Sequence, residues 1–126
     1  MSDNRISLGK KGEDLAASFL KKNGFQIIQR NYRQKIGEID IIARQNEWLV
    51  FIEVKARKSI RFGQPFEAVT QNKQAQICRV ALDFMTRNKL LDQPVRFDVI
   101  SILFKGEGGA DIEHLPNCFE LNAGFY

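Results

Sequence analysis

Asp40, Glu53 and Lys55 are the residues whose types and spacing point most directly to chemistry. They lie in two β-rich segments that flank the polar pair at positions 46–47, which suits the two-residue turn of a β-hairpin. With that turn, Asp40 would face Glu53 at a Cβ separation of ~5 Å, and Lys55 would point to the same side of the sheet. Facing carboxylates repel each other, so we predict a compensating divalent cation, Mg²⁺ or Mn²⁺, because these ions prefer oxygen ligands.

An exposed ladder of salt bridges is the alternative interpretation of this cluster, since the same register places Lys55 opposite Glu38. Two apolar residues on the carboxylates' side of the hairpin, Ile42 and Phe51, argue against it. They indicate that this side is partly covered, where uncompensated carboxylates would be costly. The other side is predicted to face the core and carries the apolar residues Ile39, Ile41, Ile52 and Val54.

Two further charged residues fall on the apolar stripes of predicted helices. Glu13 lies at the edge of the stripe of a first helix, over residues 8–23, so a third carboxylate would point toward the hairpin. Lys73 falls inside the buried stripe of a second helix, which is predicted to run from Pro65 to about Arg87. A lysine that buries only its stem explains Lys73 as well as a role in a site does.

The elements that would hold these residues follow in the order α-β-β-β-α-β-β. This order predicts an α/β protein with a mixed central sheet flanked by helices, and the length of 126 residues suits a single domain over residues 1–126. The predicted bounds are a helix at 8–23 capped by Ser7 or a neighbour, strands at 25–32, 36–43 and 48–54, a basic loop at 56–64, a helix at 65–87, and strands at 95–104 and 111–115.

Positive charge is concentrated in the half of the chain that carries the acidic motif. The chain has a net charge of +4, but residues 1–62 hold 13 basic and 7 acidic side chains, whereas residues 63–126 hold 6 and 8. A polyanion such as DNA would be attracted to the first half, although an unevenly charged solvated surface explains the same counts.

Neither the termini nor the cysteines suggest export or a membrane. The first residues lack an apolar signal core, and no apolar run approaches the ~20 residues that span a bilayer. Cys78 and Cys118 have no zinc-site spacing, and we interpret both as small core residues in a reducing compartment. We therefore expect a cytoplasmic protein with no membrane partner.

The segment Gly37-Glu38-Ile39-Asp40, followed by Glu53-Val54-Lys55, resembles the D…ExK signature of the PD-(D/E)xK nuclease superfamily. Proteins of that superfamily have the restriction-endonuclease-like fold, with an α-β-β-β-α-β core. A wider resemblance, over residues 6–104, is to the YraN family of small bacterial proteins, which are similar to archaeal Holliday junction resolvases. It rests on Gly9-x-x-Gly12-Glu13, Asn31-Tyr32-Arg33, the two segments above with Phe51-Ile52 and Arg57, Val69-Thr70-x-x-Lys73 and Arg96-Phe97-Asp98-Val99. The superfamily's proline before the aspartate is absent, and Ile39 stands there.

The resemblance implies a role for each site residue. Asp40, Glu53 and the main-chain carbonyl of Val54 would hold the metal ion, and Glu13 would complete its shell directly or through water. Lys55 would orient the attacking water, stabilise developing charge or act as a base, and the nearby carboxylates favour the electrostatic role. Lys73 is a further catalytic candidate. Gly9 and Gly12 would let the end of the first helix approach a phosphate. Contacts to the phosphate backbone would come from the basic residues Lys10, Lys11, Arg33, Arg57, Lys58 and Arg61.

These implications lead to three alternative functions. The first is a metal-dependent endonuclease that hydrolyses phosphodiester bonds in branched or structured DNA, such as a junction or flap. The second is a non-catalytic nucleic-acid-binding module that keeps the nuclease fold, and the third is an interaction protein whose carboxylates are structural. Cutting a two-fold-symmetric junction would call for a homodimer.

Overall fold

The computed structural model describes residues 4–58 and 69–121, which form two helices and a five-stranded sheet with one short 3-10 helix. The predicted α/β class and the element order are confirmed. In chain order the elements are α1 (Asn4–Lys22), β1 (Gln26–Gln34), β2 (Gly37–Gln45), β3 (Trp48–Arg57), α2 (Gln71–Arg87), β4 (Val95–Phe104), the 3-10 helix (Gly106–Gly108) and β5 (Ala110–Phe119). Neither helix in the described ranges has both the length and the apolar character needed to cross a bilayer.

Both helices begin elsewhere than predicted. α1 already includes Asn4, so Ser7 lies inside the helix and is not its cap. Pro65 lies outside the described residues, but the prediction of one continuous helix from there is wrong because Thr70 is extended, at φ −69° and ψ 167°. Its hydroxyl accepts a hydrogen bond from the Lys73 N–H at 3.2 Å, and this cap sets the start of α2 at Gln71.

The sheet has the order β1-β2-β3-β4-β5, and only the β3–β4 pair, which α2 connects, is parallel. The hairpin of β2 and β3 has the predicted turn, in which Gln45 pairs with Trp48 and Asn46 adopts a φ of 54°. Left-handed backbone is tolerated well by asparagine, which is why this short turn forms here. The register is therefore the one predicted from the turn.

The sheet buries apolar side chains on both faces, one under each helix. The cluster on the α1 side consists of Ala16, Ala17 and Leu20 of α1 with Phe25, Ile41, Ala43, Val50, Ile52, Ile100 and Ile102. The cluster on the α2 side consists of Ile77, Cys78, Val80, Ala81, Phe84 and Met85 of α2 with Tyr32, Ile39, Ile42, Leu49, Phe51 and Phe97. No disulfide joins Cys78 to Cys118, and Cys118 is exposed on the irregular part of β5, so its predicted core position is wrong.

Ile39 packs on the face opposite to the one predicted. It belongs to the α2 cluster together with Ile42, whereas Ile41 belongs to the α1 cluster. The alternation of side chains along β2 therefore breaks at Asp40. At the same level of β1, Asn31 adopts a φ of 57°, so the backbone of the neighbouring strand is irregular here as well.

Gly12 brings α1 into close contact with β3. A Cβ atom at Gly12 would lie 2.6 Å from the Cβ of Ala56, closer than two such atoms can approach. Gly12 is buried in this contact and lies within the helix, so the expectation that it borders a phosphate at the helix end is wrong. Its function is to set the distance between α1 and the end of β3.

Asp98 ties β4 to the irregular part of β5. Its fully buried carboxylate accepts two hydrogen bonds from Arg96 at 2.9 Å and one from the Asn117 N–H at 3.0 Å, and it lies 2.7 Å from His114 Nε2. Burial alone would raise the pKa of Asp98, but the hydrogen bonds from His114, Arg96 and Asn117 hold it below its ordinary value. The strand register shifts at this point, so the carboxylate fixes the irregular backbone.

We expect Asp98→Asn to lower the free energy of unfolding at pH 7 by about 3 kcal/mol, because it removes the charge that compensates Arg96. A carboxyl whose folded pKa is depressed stabilises the fold above its unfolded pKa, and this stabilisation is lost as the pH falls through the folded pKa. Thermal melting should therefore show a large difference between variant and wild type at pH 7 and a smaller one at pH 3. The control is Asp111→Asn, which removes an exposed ion pair with Lys105 and should change little. An equal loss at both pH values would contradict this role of the charge.

Candidate active site

The candidate site begins where the pairing of β2 with β3 ends. Ile41 and Ile52 form the last pair of the ladder, and beyond them the Asp40 carboxylate accepts a hydrogen bond from the Val54 N–H at 2.7 Å. A side chain thus takes the place of a main-chain carbonyl as the acceptor. This hydrogen bond holds the Asp40 carboxylate between the two strands. Its donor, Val54, directly follows Glu53 in β3.

Glu53 is buried and is contacted by two lysines. Its Oε2 lies 3.3 Å from Lys55 Nζ and 3.6 Å from Lys73 Nζ, and only 8% of the residue is exposed. Lys55 comes from the same strand, and Lys73 comes from the first turn of α2. This ion pair explains the position of Lys73 in the apolar stripe. The structure thus brings together four residues that were predicted from the sequence to form a site: Asp40, Glu53, Lys55 and Lys73.

Burial and neighbouring carboxylates both disfavour the charged form of Asp40. Burial raises the pKa of Asp40 to about 7, and the neighbouring charge of Glu53 adds to this effect, while the hydrogen bond from Val54 opposes it. Glu38 and Glu13 raise the pKa of Asp40 further. The charged form of Asp40 is therefore disfavoured first by burial and then by the carboxylates around it.

Glu13 borders the same cavity but is held by β1. Its Oε1 accepts hydrogen bonds from Arg30 Nε and from Asn31 Nδ2, each at 2.9 Å, and Arg30 also binds Asp14 at 2.7 Å. Sequence reasoning did not identify Arg30, because no spacing rule connects a helix with a strand residue 17 positions away. Glu13 is thus near Asp40 and already has a cationic partner.

A cavity of about 350 Å³ lies beside Asp40 at the open end of the hairpin, and neither Glu53 nor Lys73 lines it. Gly9, Glu13, Glu38, Asp40 and Lys55 are among the residues that line it. Within the described ranges, no three His, Cys, Asp or Glu side chains are arranged closely enough to hold a metal ion together. Asp40 and Glu53 are the two carboxylates predicted to hold a metal ion from the hairpin, and Glu13 would have to act through water or leave Arg30.

The predicted phosphate-binding cations form two groups. Lys10 and Arg33 are largely exposed, pair with Asp14 at 3.8 Å and with Glu38 at 3.4 Å, and line one cavity with Glu13. Lys11 and Lys58 line a different cavity near the end of β4. Arg57 is the last residue of β3 and is partly buried, and Arg61 lies outside the described residues.

The fold and this cluster define a mixed α/β protein with an acidic pocket at the end of a β-hairpin, and the comparisons give the family. Residues 12–102 match the model of the Uncharacterised protein family UPF0102. A UPF0102 protein of Geobacter metallireducens is 49% identical over 121 residues, which cover 96% of this chain and 98% of the relative. One from Caldicellulosiruptor saccharolyticus is 44% identical over 117 residues, covering 92% and 99%. The chain belongs to the UPF0102 family, the YraN-like family that its motifs resemble.

We expect Asp40→Asn to stabilise the metal-free protein at pH 8 by about 2 kcal/mol. The rise of the pKa from 3.8 to about 7 corresponds to roughly 4 kcal/mol at ~1.4 kcal/mol for each tenfold change in proton affinity, and burial of the polar amide offsets about half of it. The folded pKa of Asp40 lies above its ordinary value, so the wild type loses stability as the pH rises from 4 through about 7. Asparagine keeps an acceptor for the Val54 N–H but carries no charge. Thermal melting with a chelator across this pH range measures the effect.

The control for this experiment is Asp92→Asn, which changes an exposed carboxylate outside the site and should melt in parallel with the wild type. A sharp loss of stability in Asp40→Asn at every pH would mean that the ionised carboxylate stabilises the fold. The conclusion that the charged form of Asp40 destabilises the metal-free protein would then be wrong.

Proposed function

We propose that this chain is a metal-dependent endonuclease that hydrolyses phosphodiester bonds in DNA, with branched or structured DNA as its substrate. It would be a member of the PD-(D/E)xK superfamily with the restriction-endonuclease-like fold, similar to archaeal Holliday junction resolvases. The observation that carries the proposal is the placement of Asp40 and Glu53 at the open end of the hairpin, with Lys55 beside them.

The donor set fits Mg²⁺ or Mn²⁺. Both ions prefer carboxylate and carbonyl oxygens, which Asp40, Glu53 and the main chain of Val54 would offer. Burial and the charge of Glu53 raise the pKa of Asp40, and a bound dication would favour the charged form of its carboxylate. When bound, such an ion supplies Lewis-acid polarisation of a scissile phosphate. Glu13 would act through water, because Arg30 and Asn31 already hold its carboxylate.

Lys55 would act as a fixed positive charge beside the reacting phosphate. Its ammonium group lies 3.3 Å from Glu53, and 24% of the side chain is exposed, so it can reach both the carboxylate and a ligand in the cavity. We assign it the orientation of the attacking water and the stabilisation of charge that develops on the phosphate. Lys73 would be a positioning residue, because it contacts Glu53 and does not line the cavity of Asp40.

A non-catalytic nucleic-acid-binding module is the second candidate, and a specific observation favours it. Glu53 is paired with two lysines, Glu13 with Arg30 and Glu38 with Arg33. A cluster that its own cations compensate to this extent does not require a metal ion. In that case the basic surface, including Lys10 and Lys11, would bind the phosphate backbone without hydrolysis.

Cleavage of a panel of DNAs (four-way junction, flap, nicked and linear duplex) with Mg²⁺ and Mn²⁺ tests the proposal. Lys55→Ala and Asp40→Asn should each lower the rate by at least about 100-fold, because each removes a charge that acts on the transition state. Titration calorimetry should show weakened metal binding only for Asp40→Asn, since Lys55 is not a ligand. Lys21→Ala, at the far end of α1, is the control and should cleave normally.

DNA binding by the wild type without cleavage of any substrate in either metal ion would favour the binding module. The absence of binding to both metal and DNA would leave the third function, an interaction protein with structural carboxylates. A homodimer is part of the proposal only for a two-fold-symmetric junction, and sedimentation of the complex would measure it.

A further inference from the structure

Another cavity lined by cations lies between the turn that joins β1 to β2 and the first turns of α2. We call it the α2 groove. Its volume is about 540 Å³, and Lys35, Ile36, Asn72, Lys73, Gln76 and Arg79 line it. Three of these residues are cations, and none of the described lining residues is acidic. Apart from Lys73, none of them has a part in the function proposed above.

The turn that joins β1 to β2 packs against a side chain of α2 at one side of the α2 groove. A Cβ atom at Gly37 would lie 2.8 Å from Cγ of Gln76, so the turn lies directly against α2. The turn residues Lys35 and Ile36 are exposed beside this contact, as is Arg79 on the helix. The two cations and the apolar side chain are therefore presented from two elements that support each other.

Lys73 links the α2 groove to the candidate active site. Its ammonium group lies 3.6 Å from Oε2 of Glu53, and the same side chain lines the groove, while the groove and the cavity of Asp40 share none of their described lining residues. A chain of phosphates that reaches Lys73 from the site would enter a cavity that also presents Lys35 and Arg79. Several cations in one cavity suit the phosphate backbone of a nucleic acid.

Ile36 favours a single strand over a duplex as the ligand of the α2 groove. Ile36 is 43% exposed in the midst of the cations, although it is large and aliphatic. A duplex presents phosphates and sugars but keeps the faces of its bases stacked, whereas a single strand presents phosphates and base faces together. Aliphatic side chains such as Ile and Leu are used by other proteins to contact base faces where the stacking of bases is interrupted.

We propose that the α2 groove binds one single strand of nucleic acid that continues from the candidate active site, with phosphates on Lys35 and Arg79 and a base against Ile36. The inference rests on the proposed function and narrows its substrate class to DNA with an unpaired strand beside the scissile phosphate. It also assigns three exposed residues to recognition that the family motifs do not include.

Fluorescence anisotropy with a labelled oligothymidylate, and with a blunt duplex of equal length, tests the inference in a salt series with a chelator. The double variant Lys35→Ala/Arg79→Ala should lower the slope of log affinity against log salt by ~0.7 for each lost single-strand contact. Ile36→Ala should weaken single-strand binding about fivefold without changing the slope, because it removes only apolar contact. Lys21→Ala/Lys22→Ala removes the same charge at the end of α1 and should change neither.

The outcomes separate this inference from the proposed function. An unchanged slope in Lys35→Ala/Arg79→Ala, or no single-strand binding by the wild type, overturns the inference even where Mn²⁺-dependent cleavage is observed. A lowered slope, with no cleavage of any DNA, supports the α2 groove and rejects the hydrolysis. All three residues are exposed, so unchanged melting temperatures should show that the variants fold normally.

Discussion

The hydrogen bond from the Val54 N–H to the Asp40 carboxylate determines the arrangement of the candidate site. In a regular antiparallel ladder this N–H would donate to a main-chain carbonyl of β2. Here the carboxylate accepts it, so the two strands separate after Ile41 and Ile52 and leave space for a cavity at the end of the hairpin. The same hydrogen bond keeps the Asp40 carboxylate partly buried beside that of Glu53. Without it, repulsion between the two carboxylates would favour rotation of Asp40 into solvent.

The two apolar cores support this arrangement from opposite faces of the sheet. The core under α1 places Glu13 beside the cavity, and the core under α2 places Lys73 next to Glu53. Because the side-chain alternation of β2 breaks at Asp40, the residues before and after it anchor in different cores. Asp40 therefore lies where the two cores meet the open end of the sheet, with Glu13 of α1 beside its cavity and Lys73 of α2 in contact with Glu53.

The parts of the fold and site that the sequence predicted are those that depend on local rules. The turn chemistry of Asn46 was sufficient for the hairpin register, and the apolar run of β4 was sufficient for its bounds. The face of Ile39 was predicted wrongly because period-two alternation does not hold through an irregular strand. The start of α2 was missed because the Thr70 cap prevailed over the preference of proline for a first turn. The partner of Glu13 is a tertiary contact, for which the chain carries no periodic signal.

The contact between Gly12 and Ala56 links two positions that are distant in the chain. Gly12 cannot gain a side chain unless Ala56 becomes glycine or α1 moves away from β3, and Ala56 cannot become larger unless α1 moves, because no residue is smaller than glycine. Glu13 directly follows Gly12, so any such movement would also displace this carboxylate from the cavity. A substitution at either position therefore depends for its effect on the residue at the other, which is epistasis. The distance between α1 and β3, and with it the position of Glu13 relative to Asp40, would change in evolution only through paired substitutions.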